Sequence, residues 1–164
     1  MGILYDWFAA PGDEAAAAVI DRAGGPSEPS PVGGPRRPWR RPTGSVGYPT
    51  VRTRIDPVVQ GGTLEELLTG RPYDALDADP RWGRVLASRG ADQRLVLTVT
   101  DGLVVALADA GADALTAVAG PWSRTEEFWG AADPGHLGAV LDQLAELARE
   151  ARRCGAGVYC WVCV

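Results

Sequence analysis

Apolar positions recur along this chain with two different periods, and the period changes where glycine, proline or a short polar side chain intervenes. Leu95 to Val99 is a continuous apolar run with three β-branched members, which predicts a strand. Val158 to Val164 is almost wholly apolar or aromatic and predicts a closing strand at or near the centre of a sheet. Gly2 to Phe8 is short and aromatic, with Asp6 breaking its alternation, and predicts a first strand. Val51 to Ile55 predicts another short one. The longest helical stripe lies just ahead of the closing strand. Leu137, Leu141, Leu144, Ala148 and Ala151 fall three or four apart, with Val140 and Leu147 beside them. Gln143, Glu146, Glu150 and Arg153 occupy the opposite face.

Start and stop signals place the remaining helices. Asp133-Pro134 opens the long helix, which runs to about Arg153, where Arg149, Arg152 and Arg153 suit the C-terminal end of the dipole. Gly12-Asp13-Glu14 opens an alanine-rich helix over Ala15 to Arg22. Thr63-Leu64-Glu65-Glu66 reads as a capping box starting a helix that closes at Gly70. Asp79-Pro80 predicts a helix start leading into Trp82, Val85 and Leu86. Thr100 or Asp101 caps a helix through Ala108, with a strand through Val104-Val105 as the alternative. Ala112 to Ala119 predicts a helix ended by Gly120-Pro121. Ser123-Arg124-Thr125-Glu126 reads as a second capping box, opening one turn through Phe128-Trp129. Strands and helices mix without regular alternation. The expected fold is α+β: a small mixed or antiparallel sheet packed by several helices, with a long C-terminal helix followed by a final strand.

Between Gly24 and Pro49 no period survives. Seven of those 26 residues are Pro and six are Gly, with Arg36, Arg37, Arg40 and Arg41 around Trp39. Proline fixes φ and lacks a donor, so a loop or insertion is expected within a single domain spanning residues 1–164. The stretch carries +3 while the whole chain carries −5. Arginines around a tryptophan suit base stacking, but one loop offers too little positive surface to follow a nucleic-acid backbone. These five residues are therefore candidates for contact with an acidic partner or a neighbouring subunit, and nucleic acid is not the expected partner.

The three cysteines all lie after residue 153 and form no disulfide framework, which reads as a reducing compartment. Met1 to Phe8 has no basic stretch ahead of an apolar core, and no 18-residue apolar run exists in the chain. The expected setting is the cytoplasm, with no membrane contact.

The layout also carries a resemblance. Met1-Gly2 precedes an aromatic strand, and Ile55-Asp56 precedes a helix ending Leu67-Leu68-Thr69-Gly70. An alanine-rich region then leads to Pro121-Trp122, followed by a long amphipathic helix and a closing strand. This order resembles the YfbM-like family, small bacterial cytoplasmic proteins of unassigned activity. The segment Pro121 to Trp129 is similar to proteins common in high-GC actinobacteria. The resemblance implies an α+β fold and brings no catalytic residues with it.

Candidate chemistry is sparse. Cys160 and Cys163 have half-site spacing, but three positions along a strand place side chains on opposite faces. They read as structural thiols. Cys154, at a helix end near Arg152 and Arg153, is the exposed one. His136 is the sole histidine and reads as a surface residue in the first turn of the long helix. Gly61-Gly62-Thr63 has the character of a helix start that accepts anions, a common arrangement. No metal or cofactor is expected, because the Cys160–Cys163 half-site has no second cysteine pair or nearby histidine and no glycine-rich piece has phosphate-loop spacing. The densest cluster is Trp122 to Trp129. Trp122 and Trp129 are read as walls of a groove, with Arg124 and Glu127 on its rim and Tyr5 and Trp7 approaching if the first and last strands pair. The alternative is that both tryptophans anchor a helix corner in the core.

These residues point first to a non-enzymatic binding or protein-interaction protein, regulatory or protective toward a partner, that partner being another protein or a small molecule; a homodimer also fits. The alternatives are an enzyme pairing Glu126 or Glu127 with Asp6 or Asp56 as acid and base, and an accessory protein of a biosynthetic pathway that binds an apolar small molecule beside Trp122, Trp129 and Trp161.

Overall fold

A computed structural model describes residues 2–28, 47–91 and 93–164. The arginine-rich candidates Arg36, Arg37, Trp39, Arg40 and Arg41 lie outside the described residues.

Five strands form one sheet: β1 (Leu4–Ala10), β2 (Thr50–Thr53), β3 (Val85–Arg89), β4 (Arg94–Thr98) and β5 (Gly157–Cys163). Their order is β2-β1-β5-β4-β3, and every neighbouring pair is antiparallel. The closing strand is central because both of its faces are apolar. Trp7 lies opposite Cys160 across the β1–β5 ladder, and Leu97 lies opposite Cys160 across β4–β5. The fold is α+β, with α1 (Asp13–Ala17), α2 (Val59–Thr69), α3 (Asp101–Asp109), α4 (Ala112–Ser123) and α5 (Pro134–Cys154). α5 is the long helix, and it delivers the chain straight into β5.

Strand alternation separates two cores. Trp7, Ala9, Leu97, Val158, Cys160 and Val162 face α2 to α5. Phe8, Ala10, Val96, Tyr159 and Trp161 face the other way, covered by Ala16 of α1 and by Val19 and Ile20 of the tight turn that continues it. Cys160 thus belongs to the helix side and Cys163 packs on the opposite side. Burial pushes the Cys160 thiol well up, which leaves it un-ionised and inert, while Cys154 is exposed.

Three helix signals resolve differently from the sequence reading. α2 begins at Val59, ahead of Thr63. Asp56 Oδ1 accepts from the amides of Val58 and Val59 at 2.7 and 3.0 Å, so the acid satisfies the free donors and the Thr63 hydroxyl turns back to donate to the Gln60 carbonyl. Asp79 does cap a turn, accepting from Arg81 N at 2.9 Å, but no helix follows. Gly83 at φ +61 ends the turn, and Val85–Arg89 pairs with β4 instead. Leu86 then packs on the Phe8 side of the sheet. Finally, α4 runs through Pro121 to Ser123, whose hydroxyl donates to the Gly120 carbonyl at 2.8 Å and caps nothing. Pro121 lies in the last turn of α4, where it forgoes an amide hydrogen bond to the turn before it. The Thr100 and Asp133 caps form as expected, accepting from Leu103 N and His136 N. Among the described residues no helix is long and apolar enough to cross a membrane.

Candidate functional site

The aromatic segment after α4 separates into a buried ring and an exposed one. Trp122 is 0% exposed; its indole donates to the Gln60 carbonyl at 3.0 Å, and the ring meets Phe128 edge-on at 5.2 Å. It belongs to the core and does not line a groove. Trp129 follows a single turn, Glu126–Phe128, and is 92% exposed. Its backbone adopts φ 54, the left-handed region where a bulky side chain is rarely found. That geometry throws the indole outward while Phe128, one residue earlier, turns in.

A shallow depression of about 710 Å³ surrounds Trp129, lined by Val59, Arg124, Thr125, Glu126, Glu127 and Gly130. Arg124, Glu127 and Trp129 therefore meet there, as their spacing suggested, while Tyr5, Trp7 and Trp122 do not. Trp7 is 1% exposed, with its indole donating to the Ile55 carbonyl at 2.9 Å. Trp161 is buried on the opposite face of the sheet.

Gln60 joins α2 to this turn. Its side-chain oxygen accepts from Asp56 N at 2.9 Å, its amide donates to the Glu127 carbonyl at 3.4 Å, and its backbone carbonyl holds Trp122. Sequence reading passed over Gln60 and also Val59. The one available signal was a glutamine at the start of an otherwise apolar stripe.

The four carboxylates named as possible acid/base partners do not form one cluster. Asp6 is fully buried on the α1 face, gripped by Nε and Nη2 of Arg52 at 2.8 and 3.0 Å. Asp56 faces the other side, accepting from the Tyr5 hydroxyl at 2.9 Å with one oxygen while the other caps α2. That partnership, with burial as the larger cause, pushes the Tyr5 phenol up. Glu126 is exposed. Glu127 and Asp56 both act on Tyr73, whose phenol is raised by burial first and by these two carboxylates after it. One Glu127 oxygen is buried without a hydrogen-bond partner. Both Asp56 oxygens are committed to structural hydrogen bonds, with Tyr5 and with the first amides of α2.

The carboxylate with a raised pKa is one the sequence reading did not single out as functional. Glu65, on α2, is almost wholly buried against the start of α3. Burial raises it more than the Thr100 hydroxyl donating to Oε2, or Arg71 Nη1 3.7 Å from Oε1, pulls it down. A Cβ on Gly102 would come within 2.5 Å of Oε1, so glycine alone leaves room for this carboxylate. It does not line the depression around Trp129.

Among the described residues no group of three or more His, Cys, Asp or Glu side chains is placed to hold a metal ion. No family model, curated protein or solved structure matches this chain.

Proposed function

We propose that this is a binding protein that recognises another protein through Trp129 and the depression around it. The observation that carries this reading is an indole 92% exposed on a backbone at φ 54. Packing does not require that arrangement, since Phe128 and Trp122 already fill the core beneath. A projecting tryptophan in a polar-rimmed depression is the usual anchor of an interface hot spot. Arg124 strengthens the case. Among the described residues it has no ion pair, and its guanidinium is open to an acidic group on the partner. Exposed Val59 extends the apolar area beside the ring.

The test is comparative capture from cell extract with the wild-type chain, Trp129→Ala and Arg124→Glu, followed by binding of the captured protein to each purified chain. The expected outcome is one partner lost with both variants, with Trp129→Ala weakening purified binding by about 30-fold or more, the range of a hot-spot truncation. Equal capture and equal affinity by all three chains would remove the proposal. Dimerisation of the wild type that Trp129→Ala abolishes, seen by sedimentation, would assign the same surface to a second copy.

A further inference from the structure

Beyond β2 the chain passes through Arg54 and Ile55 under the N-terminal half of α5. Facing them, α5 presents His136, Leu137, Val140 and Gln143, one stripe of the helix. Between the two lies a groove of about 640 Å³. It is separate from the depression at Trp129 and shares none of its lining residues. Its floor is apolar: Ile55, Phe128, Leu137 and Val140. The volume falls in the range of small-molecule sites, about 300–1,000 Å³, and the mixture of apolar floor and few polar groups is typical of them.

The polar rim is unevenly committed. Arg52 spends its guanidinium on Asp6. The Asp133 carboxylate takes the His136 backbone amide at 2.7 Å and is occupied as the cap of α5. Gln60 is bonded through both ends of its amide. Arg54 alone of the rim cations has no carboxylate among the described residues, in a chain where acids outnumber basic residues 21 to 16. Most other described guanidinium groups have found one: Arg71, Arg81, Arg89 and Arg152 among them. A guanidinium with no carboxylate among the described residues, lining the same groove as His136 and Gln143 over an apolar floor, is complementary to one kind of ligand.

We propose that this groove binds a small organic acid, its apolar body on Leu137, Val140, Ile55 and Phe128 and its carboxylate on Arg54. A guanidinium fork matches a carboxylate with two parallel hydrogen bonds, which fixes orientation as well as affinity. The site is independent of the protein-docking reading at Trp129.

The probes are anilinonaphthalenesulfonate, which carries an apolar body and one anionic group, and the competitors octanoate and 1-octanol, which share a chain and differ in charge. Octanoate is expected to displace the dye at about tenfold lower concentration than octanol, the value of one charge-assisted hydrogen-bonded pair. Arg54→Ala is expected to erase that advantage without moving the thermal midpoint, and Arg124→Ala to leave it intact. Octanoate is also expected to shift the His136 ring signals in a carbon-resolved NMR spectrum of the wild type. Equal displacement by acid and alcohol, an advantage that survives Arg54→Ala or follows Arg124→Ala, or unmoved His136 signals would overturn the proposal. Ala132→Trp, on the groove wall, supplies a second variant: it should block octanoate, and retained binding would count against the site.

Discussion

Trp122 and Trp129 are seven residues apart in one aromatic segment, yet one is core and the other surface. Their difference lies in hydrogen bonding and backbone. Trp122 reaches a carbonyl on α2, while Trp129 follows a turn that leaves its φ positive. Trp122→Ala should therefore cost about 3–5 kcal/mol, as large buried aromatics do. Trp129→Ala should leave stability within about 0.5 kcal/mol of wild type. Urea unfolding of the two variants measures this directly. Glu65 supplies a second prediction, with a definite sign. A carboxylate raised in the folded state holds its proton more tightly there than when unfolded. Its contribution to stability is full at acid pH and is lost as pH rises through the folded value. Glu65→Gln keeps an acceptor for Thr100 and cannot ionise. The stability of the wild type relative to this variant should thus fall as pH rises above the ordinary glutamate range, measured by urea unfolding at a series of pH values from acid to neutral. A difference that rises with pH would show the carboxylate to be stabilised by its partners instead. At this scale the sequence showed residue types and spacing. It did not show that Glu65 is buried, because that burial comes from α3 packing on α2, a contact between distant segments.

The elements were mostly legible where local chemistry and tertiary packing agree. β4, β5, α3 and α5 are set by β-branched runs, a long apolar stripe, and caps at Thr100 and Asp133 whose side chains do accept the amides they face. The misreadings share one cause. Thr63, Ser123 and Asp79 all have cap chemistry, but a cap works only where the chain enters a helix, and tertiary contacts moved those entries. Asp56 captured the start of α2, α4 continued past its proline, and the segment after Asp79 was drawn into the sheet edge. Gly62 makes the point testable. Alanine in a helix interior ordinarily adds about 1 kcal/mol over glycine. Here a Cβ would meet the Tyr73 ring at 2.5 Å, and that ring stands edge-on to Trp82 at 5.5 Å. Gly62→Ala should lower the thermal midpoint, opposite to the sign of propensity, while retaining helical content by circular dichroism.

At the scale of the molecule, the sheet sorts the candidate residues into separate regions. Alternation along β1 sends Tyr5 and Trp7 to the helices and Asp6 to α1, so three neighbours in sequence serve different cores. The two surface features left open, the depression at Trp129 and the groove at Arg54, adjoin the same Phe128–Ala132 stretch but use different elements. What the chain determined by itself was the α+β class, the central closing strand, the long helix before it and the opposite facing of Cys160 and Cys163. All four follow from periodicity, which is a local property of the backbone. What only the tertiary structure decided was which polar and aromatic groups are satisfied. Asp6, Asp56 and Trp122 find partners far along the chain and retire into the frame, whereas among the described residues Arg54, Arg124 and Trp129 do not. Burial and pairing depend on contacts between distant segments, and no spacing within a single stretch of sequence encodes them.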